Sequence, residues 1–107
     1  MSIRDFNWSP EEKKIARAAF DKAYSNEMNE IKNELEKRIK DLNDLQKVWP
    51  IHDFLSKRRT EVDEKYDYRY SVLINVFARL LSEGCIEEKD LEGLSKDKLD
   101  AIKFLSK

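Results

Sequence analysis

Apolar residues recur at three- and four-residue spacing along most of this chain, and the rows they form predict long amphipathic helices. Tyr24, Met28, Ile31, Leu35, Leu42 and Leu45 make one row, interrupted at Arg38. Ile51, Leu55, Val62, Tyr66, Leu73, Val76 and Leu80 make a second, and Leu99, Ile102 and Leu105 a short third. Pro10, Pro50, Gly84 and Gly93 are the only strong helix breakers, so they set the expected boundaries. The pattern predicts one all-α domain over residues 1–107, with a long helix or helices at 10–48, a second long helix at 50–83 and short C-terminal helices within 86–107.

Start and stop signals agree with these boundaries. Ser9 stands where an N-cap belongs, with Pro10 at the first helical position and Glu12 three residues after the cap. Gly84 suits a C′ position, and Ser95 an N-cap for the last helix. Pro50 either opens the second helix or kinks a continuous one. Fully helical, the first segment spans about 50 Å, whereas a compact chain of this length has a radius of gyration of about 13 Å. One end must then protrude as a stalk from a small helical head. A protruding apolar row calls for a cover. A second copy supplies it in an elongated homodimer, with Met28, Ile31, Leu35 and Leu42 at the interface. The alternative is a break near Asn43 and Asp44 that folds the segment back as an intramolecular hairpin.

Composition then removes several classes of function. Charged and hydrophobic residues each make up 40 %, with two glycines and two prolines, the balance of charged amphipathic helices. Basic and acidic residues number 21 and 22, so the net charge of −1 creates no field for nucleic acid or an anionic membrane. The cluster Lys57-Arg58-Arg59 is neutralised at once by Glu61, Asp63 and Glu64. One cysteine, Cys85, has no partner for an internal disulfide, and no apolar run is long enough for a signal segment or membrane insertion. The expected address is cytoplasmic.

Catalytic chemistry also finds no footing. His52-Asp53 resembles part of a metal-hydrolase dyad, but His52 is the only histidine and no metal-ligand spacing surrounds it. No phosphate-binding glycine loop and no nucleophile with a histidine base oriented by a third residue occurs. Neither a metal nor a cofactor is expected, and the chain is read as a non-enzyme. Binding is the better prospect. On a helix at about 100° per residue, Trp49, His52, Asp53, Ser56 and Arg59 fall within an arc of about 120°, away from the second apolar row. A tryptophan on that face serves either a partner protein or the dimer seam.

A longer pattern decides between these. The run Trp49-Pro50-Ile51-His52-Asp53-Phe54-Leu55-Ser56, followed by Arg59, Glu61, Asp63, Lys65-Tyr66-Asp67, Arg69 and Ser71-Val72, resembles the fluorescence recovery protein family. The likeness continues through Val76-Phe77-Ala78, Leu80-Leu81 and Glu83-Gly84, and back to Trp8-Ser9, Phe20 and Lys22-Ala23-Tyr24. It implies a helical homodimer of stalk and head that binds the photoactivated orange carotenoid protein, mainly through that partner's C-terminal domain. It also implies faster return of the partner to its orange form, ending phycobilisome quenching, with Trp49, His52, Asp53 and Arg59 as the partner-binding patch. Asn75 and Lys32 depart from the family pattern, which leaves as alternative a dimeric helical adaptor for another protein in an organism without phycobilisomes.

Overall fold

The computed structural model describes residues 6–107; the first five residues of the predicted domain lie outside it. Its helices are α1 (Pro10–Lys40), α2 (Val48–Lys65), α3 (Leu73–Ser82) and α4 (Lys96–Leu105), with 3₁₀ turns at Leu45–Lys47 and Glu88–Leu91. No strand occurs among the described residues. α1 starts as its sequence dictates. The Ser9 hydroxyl accepts from the Glu12 backbone N–H at 3.1 Å while the Glu12 carboxylate accepts from the Ser9 N–H at 3.0 Å, a complete capping box.

The first long segment does not run to residue 48. α1 ends at Lys40, and Leu42, expected on its apolar row, lies in the following turn. Two local polar contacts compete with the helix there. The Asp44 carboxylate accepts from the Gln46 N–H at 2.9 Å, and Lys47 Nζ reaches Asn43 Oδ1 at 3.0 Å. Pro50 is the third residue of α2, in its opening turn, where its missing N–H would have had no intrahelical partner. α2 then folds back along α1, which is the hairpin alternative.

The predicted helix 50–83 is corrected as well. It is two helices, α2 and α3, separated by a non-helical stretch at 66–69 and a turn. Aromatic packing explains the break. Leaving the helix lets Tyr66, Tyr68 and Tyr70 all turn toward α1 and the segment before it. Tyr66 and Tyr68 meet the Phe20 ring edge-on at 5.4 and 4.8 Å, and Tyr70 meets Trp8 at 5.9 Å. A helix would have sent one of these rings to solvent. The intervening Asp67 and Arg69 pair with each other instead.

The core lies at one end. It gathers Trp8, Ala16, Ala19, Phe20 and Ala23 with Leu73, Ile74, Phe77 and Leu80 of α3, and with Ile86, Leu91, Leu94 and Ile102 behind them. Glu12 also bridges chain ends, accepting from the Ser95 N–H at 2.8 Å and from Lys98 Nζ at 3.1 Å. Gly84 ends α3 with a positive φ of 76°, as a C′ glycine does. Beyond this head, α1 and α2 continue as a stalk, so the molecule measures 54 × 24 × 22 Å with a radius of gyration of 16.9 Å. α1 alone accounts for about 46 Å of that length.

Candidate functional site

The face predicted for binding stands clear of the core. Trp49, His52, Asp53 and Arg59 are all exposed on α2, and Trp49 is 65 % accessible. Because helix positions three apart share a face, the Trp49 and His52 rings meet edge-on at 6.3 Å, and His52 Nδ1 lies 3.5 Å from Asp53 Oδ1. These three side chains form one continuous surface. Arg59 stands about two turns further along, 3.8 Å from Asp63. There it borders a groove of about 400 Å³ lined by Tyr24, Met28, Ile31, Leu55 and Val62. The patch is therefore contiguous with an apolar strip rather than isolated.

The four residues proposed for self-association also lie where a second surface could reach them. Met28 and Leu42 are exposed, and Ile31 and Leu35 are half-buried. Between Ala23 and Val62 the stalk has no fully buried hydrophobic residue among those described. The hairpin thus covers its own apolar row only in part.

A polar centre that the sequence does not announce sits where stalk meets head. Glu27 is only 3 % exposed, and its carboxylate accepts from Lys65 Nζ at 2.8 and 2.9 Å, from the Tyr66 hydroxyl at 2.9 Å and from Arg58 at 2.9 Å. Lys65 also donates to Glu83 at 2.6 Å. Burial alone would raise the Glu27 carboxyl, yet hydrogen bonds from Lys65 and Tyr66 and the neighbouring positive charges hold it below its ordinary value. Burial likewise pushes the Cys85 thiol up, so it stays protonated beside Glu27 at 3.7 Å and acts as packing rather than as a nucleophile. Glu27 escapes sequence reasoning because its partners stand 31 to 39 residues away. Nearer the tip, the Arg38 guanidinium lies over the Phe54 ring at 4.3 Å while donating to Glu34 at 2.9 Å, tying α2 to α1 a second time.

No described cluster of His, Cys, Asp or Glu is placed to hold a metal ion, and no described helix is long and apolar enough to cross a membrane. What the stalk offers is an exposed aromatic and charged face on one of two packed helices. A family model described as photoprotection regulator fluorescence recovery protein matches residues 8–106. The chain belongs to the fluorescence recovery protein family.

Individual relatives agree with that membership. The fluorescence recovery protein of Synechocystis sp. PCC 6803 is 40 % identical over 100 residues, covering 94 % of this chain and 92 % of that protein. Its solved structure superposes with a TM-score of 0.89 at 40 % identity, over 94 % of this chain and 98 % of that one. The Fremyella diplosiphon fluorescence recovery protein gives the same TM-score at 43 % identity, with the same coverage. Family membership makes the chain a photoprotection regulator rather than a known kind of enzyme. The likeness spans both the head and the stalk that carries the patch.

Proposed function

We propose that this chain is a cytoplasmic homodimer that binds the photoactivated orange carotenoid protein, mainly its C-terminal domain, and speeds its return to the resting orange form. The observation that carries the reading is the exposed Trp49, His52, Asp53 and Arg59 face, none of whose side chains is used by the core. An exposed tryptophan flanked by a hydrogen-bonding imidazole and carboxylate has the make-up of a binding hot spot. Trp49 supplies the area that loses water on contact, while Asp53 and Arg59 set the register of the partner by charge and hydrogen bonding.

Such a regulator needs no bond chemistry. Two domains of a partner that have come apart close faster when a third body keeps them near each other, because their effective concentration rises and part of the entropic barrier is removed. The acceleration is limited by how much better the regulator binds the closing state than the open one. The second copy covers the apolar row of Met28, Ile31, Leu35 and Leu42, which the hairpin leaves accessible.

The test mixes the purified chain with photoactivated orange carotenoid protein in the dark and follows the red-to-orange absorbance change. Acceleration that rises with concentration and is lost in Trp49→Ala is the expected result. Absence of both acceleration and co-elution would transfer this fold to an adaptor for a different protein.

A further inference from the structure

The stalk hairpin poses a question of register. Its apolar contacts are half-exposed and non-directional, since no described hydrophobic residue between Ala23 and Val62 is fully buried. Sliding α2 along α1 by one turn, about 5.4 Å, would exchange one such contact for another. The polar contacts do not tolerate that slide. Glu27 meets Arg58, Lys65 and Tyr66 together, and Lys65 at the same time reaches Glu83 at the end of α3. A one-turn slip would leave a buried carboxylate without its cations, and an unpaired buried charge is far costlier than a displaced leucine. Fixing register is the best-attested use of a buried ion pair.

We propose that Glu27 is a positioning residue that locks α2 in a single register on α1, and thereby sets where Trp49, His52, Asp53 and Arg59 stand relative to the head. Trp49, His52 and Asp53 occupy the first turns of α2, whereas Glu27 grips it at Arg58 and Lys65 on either side of Arg59, so a shift there is carried along the helix to Trp49. The effect on the partner rests on the function proposed above. The register itself does not.

The test uses the whole chain with spin labels at Lys37→Cys and Lys57→Cys, both exposed, in a Cys85→Ala background, diluted into unlabelled protein. With Glu27 present, the distance distribution is expected to be single and narrow. Glu27→Leu removes the carboxylate and puts an apolar side chain of similar size in its place, while buried Lys65 keeps its second partner Glu83, so helical circular dichroism is expected to persist. Its distance distribution should broaden or gain a second, displaced population. Partner reversion should slow at least about tenfold, since small misplacements are costly. An unchanged distribution overturns the proposal, whether or not reversion slows. Glu27→Gln, which keeps an acceptor oxygen, is the second variant should Glu27→Leu not fold, and an unchanged distance there overturns the proposal equally. If the unsubstituted chain fails to accelerate reversion, the functional reading fails while the distances still judge the register.

Discussion

Trp49 gains little from the fold that carries it, and this makes it separable from stability. Trp49→Ala or Arg59→Leu is expected to shift unfolding free energy by less than about 0.5 kcal/mol while abolishing most of the acceleration; a matched loss of stability would show that the patch is structural. Gly93 is the opposite case. Its φ of 102° suits glycine, and a Cβ there would strike the Ile15 side chain. Gly93→Ala should therefore cost on the order of 1–3 kcal/mol, read from urea midpoints, with the patch untouched. The buried ions make a third prediction. Burial opposes ionisation of Glu12 and Glu27, but hydrogen bonds and positive partners outweigh it and hold both carboxyls below the ordinary 4.5. Groups depressed on folding stabilise above their unfolded value, and that stability drains away as pH falls through the folded values. Lys65, raised above 10.5 by its carboxylate partners despite burial, stabilises below that value and loses its effect as pH climbs through the higher folded one. The melting temperature is expected to be flat near neutrality and to drop on acidification below about 4.5, with a shallower acid limb in Glu27→Leu. That Trp49, His52, Asp53 and Arg59 lie away from the apolar row was legible from helical phase; their assignment to a partner came only from the family resemblance. Glu27 and the second role of Glu12 were not legible, because a side chain's distant partners leave no mark on its local pattern.

At the scale of elements, breakers and caps were legible and aromatic packing was not. Ser9, Gly84 and Ser95 end or begin helices where their chemistry requires it. The stretch from Ile51 to Glu83 contains neither glycine nor proline, so punctuation predicts one helix where there are two. The clue was the period-two placement of Tyr66, Tyr68 and Tyr70, the spacing of extended backbone. Tyr66 and Tyr68 share Phe20 as their target, which is nearly buried between them, while Tyr70 packs on Trp8. Phe20→Ala is expected to cost about 3–5 kcal/mol and to expose the Tyr66–Arg69 stretch to hydrogen exchange ahead of α1. Uniform exchange across both would mean that the stretch is held by something other than its rings.

For the molecule as a whole, the protruding stalk followed from helix length alone, and the measured radius of gyration of 16.9 Å exceeds the compact expectation of about 13 Å. Whether the apolar row served a hairpin or a second copy was posed as a choice, and the hairpin leaves room for both. Light scattering is expected to return about twice the 12.8 kDa chain mass, and Leu35→Glu to return the single chain; a monomer without substitution would remove the need for a cover. The separation of stalk from head also orders the making of the protein. Glu27 finds Lys65 after 38 residues, whereas Glu12 must wait 86 residues for Lys98. At about 5–20 residues per second, the ribosome supplies everything the hairpin needs seconds before α4 exists. Through that interval nascent α1 lacks only the part of its cover that Leu91, Leu94 and Ile102 supply. The α4 stretch, made after the hairpin, closes over the start of α1 through Lys98 and Glu12.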